Sequence, residues 1–388
     1  MLKSKIGSSI KKCAKEAGAQ AASAVKNGLT DTKIAFAYGS CDYDMAQLLA
    51  GIAEEVPEGP IIGNTSFTGV ITPEGFISGQ DGFVGIMGLA NPALTVGVAQ
   101  MPKGHCARMD GKTVAKKAMV AAGKDTAPDY FYMVASPGEE EYYLKGITEI
   151  IGRVPFFGGS AADNTISGNW KIFTNEGAFE DGVAVAFFYG GKPITNLYTG
   201  AYEETADMGI ITALDGDRGL LEIDGKPALK QYAAWRNLPA DDLLGGNLLA
   251  ASITSPLGVK DRLGDLIAIR HPMNGNENYS MNIGNNLAVG TVVIRMEASV
   301  DQLIASVKDT ITALINKTYV PIGALHLVHC GGRRAGIDNR IEEVVQGVKE
   351  AAGDIPFIVE FTFGEYGYED DGNNTCGGLM LSFTAFPA

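Results

Sequence analysis

Apolar and polar positions fall into one order of elements that occurs three times along the chain. Residues 8–28 carry apolar or small side chains at helical spacing (Ile10, Ala14, Ala17, Ala21, Ala24, Val25) and stop at Asn27-Gly28, which predicts a helix with a glycine end. A strand follows at 33–38, then a helix over 44–55 with Met45, Leu48, Leu49 and Ile52 on one face. Pro60-Ile61-Ile62-Gly63-Asn64-Thr65-Ser66 reads as a short strand running into small and polar residues. A hairpin over 69–77 comes next, and Asp81-Gly82 opens an uncharged stretch, 83–102. That stretch predicts two strands joined by the turn Ala90-Asn91-Pro92-Ala93, since its glycines and alternating apolar positions do not suit a membrane-spanning helix.

The order starts again with a helix over 112–122, a strand over 129–135 and a helix over 139–151. Pro155-Phe156-Phe157-Gly158-Gly159-Ser160-Ala161 matches the Pro60 strand, and Asp181-Gly182 opens 183–188. The third copy has a helix over 299–316, a strand over 324–329, a helix over 339–352, the Pro356 strand, and Gly377-Gly378 before 379–383. There the first strand lies further from the Pro strand, because Arg333-Arg334-Ala335-Gly336 is inserted before the helix. Between copies two and three lie strands near 194–202 and 210–214, a hairpin at 219–225, a helix at 227–234 opening on Pro227, and strands at 266–270 and 291–295. The pattern predicts an α/β protein of three related helix-strand-helix-strand-hairpin modules, with mixed sheets packed into one body. The expected units are 1–200, holding modules at about 8–105 and 111–200, and 201–388, holding a strand-rich insert (201–298) and the third module (299–388).

Composition narrows the functional classes. The 388 residues are 46% hydrophobic and 20% charged, enough for large cores. A net charge of −14 disfavours nucleic acid and anionic membrane surfaces as partners. Five cysteines without a C-x-x-C spacing indicate neither a disulfide framework nor a cysteine zinc site. No signal-peptide pattern opens the chain, so a cytoplasmic location is expected.

The order of these motifs resembles the FIST family, a bacterial and archaeal sensory domain with N- and C-terminal halves. Gly158-Gly159-Ser160-Ala161-Ala162-Asp163 is similar to its G-G-x-x-x-D signature, and 221–228 resembles its E-x-D-G-x-P-A hairpin. Ser255-Pro256-Leu257-Gly258, Cys330-Gly331-Gly332-Arg333, Phe363-Gly364-Glu365 and Asn373-Asn374-Thr375 resemble motifs of the second half. Asn64 departs from the small residue usual at its place. The resemblance covers about 31–386. It implies a stand-alone prokaryotic sensor of small ligands, amino acids being the suggested class, that signals through a separate protein. A branch of the family implies haem and nitric oxide instead.

Three predicted strand ends carry the candidate chemistry: Gly63-Asn64-Thr65, Gly158-Gly159-Ser160 with Asp163, and Gly364-Glu365. Converging on a shared centre, their backbone N–H groups would suit a carboxylate, and Asp163 or Glu365 an ammonium. Arg270 and Arg333 would clamp an anion. Turns and structural ion pairs explain the same glycines and arginines without function. His326 and His329 face opposite sides of one strand, so they do not share a metal, and a lone haem ligand would be His329 or His271. No metal, and no cofactor other than that alternative haem, is expected. No catalytic residue is assigned. A hydrolase or lyase would need two of Asp163, Glu365 and Cys330 within reach of one another in a pocket.

Overall fold

The computed structural model describes residues 1–56, 59–260, 266–368 and 373–388. The first part of the chain forms β1 (Lys3–Ser9), α1 (Ala14–Lys26), β2 (Ile34–Gly39), α2 (Met45–Glu55), β3 (Ile61–Thr65), the hairpin β4 (Val70–Thr72) and β5 (Gly75–Ile77), and β6 (Val84–Ala90). The second forms β7 (Thr95–Pro102), α3 (Ala107–Ala121), β8 (Tyr130–Ala135), α4 (Glu140–Ile151), β9 (Phe156–Ser160), the hairpin β10 (Ile172–Thr174) and β11 (Gly177–Phe179), and β12 (Gly182–Tyr189). β13 (Thr195–Thr199) then leads into the insert: β14 (Glu203–Asp215), β15 (Gly219–Ile223), β16 (Lys226–Pro227), α5 (Ala228–Trp235), α6 (Asn247–Ala251), β17 (Leu257–Lys260), β18 (Ile267–Arg270), β19 (Pro272–Gly275), β20 (Met281–Ile283) and β21 (Val292–Glu297). The last part has α7 (Val300–Lys317), β22 (Ile322–Cys330), α8 (Gly331–Ile337), α9 (Ile341–Ala352), β23 (Phe357–Thr362), the hairpin β24 (Glu365–Gly367) and β25 (Thr375–Gly377), and β26 (Leu381–Pro387).

Three six-stranded sheets share one strand order: β1-β6-β2-β3, β7-β12-β8-β9 and β13-β26-β22-β23, each followed by a hairpin from another part of the chain. The β10–β11 hairpin completes the first sheet, β24–β25 the second and β4–β5 the third. Each sheet therefore depends on a neighbour for its last two strands. Within each, the two middle strands run parallel (β2/β3, β8/β9, β22/β23) and the others antiparallel. Helices cover the outer faces, and the inner faces meet in a shared core around Phe36, Tyr132, Phe157 and Phe386. Burial on both faces explains why β2 and β8, and β22 apart from its two histidines, read as apolar runs rather than alternating ones.

Caps set the helix starts. Asp44 accepts the N–H groups of Ala46 and Gln47, and Ser299 forms a capping box with Gln302. Pro227 precedes the helix, which begins at Ala228 rather than at the proline. Two further expectations are corrected. The helix expected over 8–28 spans Ala14–Lys26, and Lys3–Ser9 form β1, pairing along β6. And 83–102 is not a strand pair: β6 joins the first sheet while β7 pairs with β12 in the second. The turn at 91–94 is where the chain crosses between sheets. Close helix packing places α4 for the site below: a Cβ at Gly146 would lie 2.0 Å from the Arg108 carbonyl oxygen. Gly146→Ala should force α3 and α4 apart and cost ~2–3 kcal/mol, read as a lower urea midpoint at unchanged slope.

Candidate functional site

The three Pro strands do converge. Thr65 O accepts the Ala162 N–H (2.9 Å), Ser160 O that of Phe363 (3.1 Å), and Phe361 O that of Phe67 (2.9 Å), closing a ring of backbone hydrogen bonds. Backbone N–H groups just past each strand end thus donate to carbonyls of the neighbouring ends. By register, Tyr38 lies opposite Asn64, Val134 opposite Gly159 and Val328 opposite Glu360, so Glu360 is the counterpart of Asn64. Glu365 belongs to the exchanged hairpin and pairs with Gly159.

Side chains behind this ring build a fully buried polar cluster with members from all three sheets. Asn64 donates to Glu360 Oε2 (3.1 Å) and accepts from the Tyr132 hydroxyl (3.1 Å). Tyr38 bonds His326 Nε2, and Glu360 Oε1 lies 3.7 Å from that nitrogen. Phe36, Phe157, Tyr38 and Tyr132 box in the imidazole at 5.1–5.6 Å between ring centres. Burial pushes Glu360 up to about 8 and His326 down to about 3, so both are neutral near pH 7.

The other expected residues scatter around this centre. A Cβ on Gly63 or Gly158 would sit 1.8 or 1.9 Å from the Ala37 or Met133 carbonyl oxygen, so these glycines let parallel strands approach. Thr65 Oγ1 accepts from Lys171 N–H (2.9 Å). Ser160 Oγ is 2.8 Å from the Tyr366 hydroxyl, and Gly364 O accepts the Ser160 N–H. Asp163 accepts the N–H groups of Thr165, Ser167, Gly168 and Asn169; burial pushes its carboxyl up, but these bonds outweigh it and the net shift is downward. Arg333 is fully buried, gives Nη2 to Leu303 O (2.8 Å) and Ser306 Oγ (2.5 Å), and leaves Nε and Nη1 unpartnered. Arg270 donates to the Ile269 and Cys376 carbonyls and lines a separate depression with Lys145 and Asn374.

A cavity of about 640 Å³ lies beside these residues and is lined by none of them. It opens beyond the carboxyl ends of β8 and β22, where ligands collect in α/β sheets. Its walls come from three places: Pro137, Gly138 and the 166–170 loop; Cys330, Gly332 and Phe363; and, from the insert, Arg218, Leu249, His271 and Met273 among others. Trp170, Phe363, Ile253 and Ile283 make it largely apolar. Asp163 shapes one wall, because the loop it ties down carries Ile166, Ser167 and Gly168.

Among the described residues, Arg218 is the only charged side chain in the lining. Its Nη2 meets Glu140 (3.0 Å) and Glu141 (2.5 Å) of α4, clasping the insert to the second module. Burial, then the charge of Glu141, raises the Glu140 carboxyl against the pull of Arg218. Cys330 presents its sulfur to the N–H groups of Gly332 (3.3 Å) and Leu379 (3.2 Å). Behind it, burial pushes Glu365 up to about 8 despite bonds from Met380 N–H, the Thr362 hydroxyl and the Cys330 thiol. Burial and Glu365 likewise push the thiol up. The pair is adjacent, but both hold their protons near pH 7, so Glu365 supplies no base to the thiol. Nothing in the spacing of the insert marked Arg218, a single arginine in a Gly-rich turn. The strand-end position of Cys330 was the one available signal.

Haem fits this cavity poorly. His329 is fully buried against Phe361 and outside the lining. His271 lines it, with Nε2 3.2 Å from the Leu249 carbonyl oxygen and burial lowering the ring to about 4. The propionates of a haem would find one arginine already shared by two carboxylates.

No helix among the described residues is long and apolar enough to cross a membrane. Among solved structures, the cyanuric acid hydrolase of A. caulinodans aligns over 100% of both chains at 10% identity and a TM-score of 0.38. Phosphoribosylformylglycinamidine synthase II of Thermotoga maritima aligns over 99% of this chain and 71% of its own at 10% identity and a TM-score of 0.21. Both scores are too low to carry an argument. No curated protein sequence matches the chain. Family models do: the FIST N domain matches residues 33–226 and the FIST C domain residues 228–368, and the chain belongs to the FIST family of small-ligand sensing domains.

Proposed function

We propose that this protein senses a small metabolite of zero net charge, an uncharged compound or an amino acid with an apolar side chain, held in the 640 Å³ cavity, and relays occupancy to a separate signalling protein. The observation that carries this reading is the composition of the walls: the insert, the 166–170 loop and the third module each contribute, so one ligand bridges three parts of the chain. The charge balance disfavours an anionic ligand, since Arg218 is already met by two carboxyl groups, Glu140 and Glu141. The side-chain oxygens of Asn285 and Ser167 line the cavity and serve for orientation.

Amino acids and uncharged metabolites at high excess should raise the melting temperature, a ligand at 100 times its Kd adding about 2.7 kcal/mol. Ala250→Trp, at an exposed position of α6 on the cavity wall, should abolish the response without lowering the basal melting temperature by more than a few degrees. Stabilisation by no compound of either kind, or an unchanged response in Ala250→Trp, would rule the reading out.

A further inference from the structure

Arg218 is held by its edges. Nε–H donates to Asn286 Oδ1 (2.9 Å), Nη1–H to the Gly284 carbonyl (2.6 Å), and Nη2–H to Glu140 Oε2 (3.0 Å) and Glu141 Oε2 (2.5 Å). The five N–H bonds of a guanidinium all lie in its plane. With four engaged, the plane is fixed and little in-plane donor capacity is left for a ligand. The side chain nevertheless keeps 22% of its surface and lines the cavity. What it offers a ligand is therefore chiefly its flat face.

Such a face is delocalised, weakly hydrated and suited to stacking on aromatic rings. It is poorly suited to capturing a carboxylate, which would gain little from a cation already bonded to two others and would be repelled by them. The remaining walls agree. Trp170 and Phe363 both line the cavity, with ring centres 6.4 Å apart and planes at 88°, so they present a face and an edge to the same space. Phe67 backs Phe363 at 5.7 Å.

We propose that the ligand carries a planar aromatic ring that stacks on the Arg218 guanidinium within the aromatic corner of Trp170 and Phe363. This rests on the cavity being the ligand site and names the chemical class it takes. Selectivity for the ring resides in Arg218, while Asn285, whose Nδ2 is held by Glu141 (3.3 Å), is placed to meet a polar substituent with its Oδ1.

Matched probes isolate the ring from its size and polarity: L-phenylalanine against L-cyclohexylalanine, and 2-phenylethanol against 2-cyclohexylethanol. Binding is followed by thermal shift and by fluorescence. The chain has two tryptophans, so a Trp235→Phe background reports Trp170 alone. The aromatic member of at least one pair should bind about tenfold more tightly and perturb Trp170 emission. Arg218→Lys should erase that preference, and circular dichroism checks that the variant folds. Equal or tighter binding by the saturated members, a preference that survives Arg218→Lys, or a best ligand without a ring in the wider screen would each overturn the proposal while leaving the cavity as the ligand site. No stabilisation by any amino acid or uncharged metabolite would remove both.

Discussion

Asp163→Ala should be among the most damaging single substitutions outside the cores, costing ~2–4 kcal/mol and weakening any cavity ligand by at least tenfold. The carboxylate is buried and gathers four consecutive-loop N–H donors, from Thr165, Ser167, Gly168 and Asn169 at 2.8–3.1 Å. Without it these donors lose a common acceptor and the 165–169 segment loses its shape. Ile166, Ser167 and Gly168 form one cavity wall, so stability and affinity should fall together. Asp163→Asn keeps one acceptor oxygen and should fall between wild type and alanine. The folded pKa lies below the ordinary value of 3.8, so the stabilisation is fully present above pH 3.8 and is lost as pH falls through the lower, folded value. Urea titrations of the three proteins at neutral pH test the ranking. An alanine variant with unchanged midpoint would mean the loop is held by something other than Asp163.

Much of the fold was legible because both faces of the middle strands are covered. Residues 34–38, 130–135 and, apart from His326, 324–328 therefore stand out as apolar runs, and the helices between them carry ordinary amphipathic spacing and caps. Pairing partners were not legible. β6 and β7 are each apolar and separated by a turn, which is the pattern of a hairpin, yet they belong to different sheets. The exchange of β4–β5, β10–β11 and β24–β25 leaves no local trace, because a hairpin has the same pattern whichever sheet receives it. β1 was missed because Lys3, Ser4, Lys5 and Ser8 dilute its few apolar side chains at a sheet edge.

The site was less legible for a related reason. The repeated strand ends attracted attention as a possible ligand centre, and they do meet. But convergence let their backbone groups satisfy one another, and the polar side chains behind them closed into a buried cluster. The cavity formed instead where the repeat is broken. In the first two modules four residues join the edge strand to the next helix (10–13 and 103–106), whereas the insert occupies that place in the third. Non-repeated sequence folding over repeated strand ends produced walls that no internal comparison could align.

Stability should fall as pH rises from 6.5 to 8, by about 3 kcal/mol, the reverse of the trend for carboxylates held in ion pairs. Burial raises Glu360 and Glu365 from 4.5 to about 8. Between those values the folded protein holds a proton that the unfolded chain has released, so each group's contribution is fully present below pH 4.5 and is lost as pH approaches 8. Buried histidines act oppositely at lower pH. His326 and His271 are lowered from 6.5 to about 3 and about 4, so the unfolded chain binds protons first and stability rises with pH up to 6.5. The two sets offset one another below 6.5; above it the carboxyl groups dominate, joined by Glu140, which burial and Glu141 raise to about 7. Glu360→Gln preserves an acceptor for Asn64 and removes the titration, so it should lose roughly half of the decline. Urea denaturation of both proteins at pH 6.5, 7.2 and 8.0 measures the slopes. Identical slopes would show that Glu360 gains no proton on folding. The polar cluster among the three sheets would then hold a charge, which His326, boxed in by four aromatic rings, would have to share.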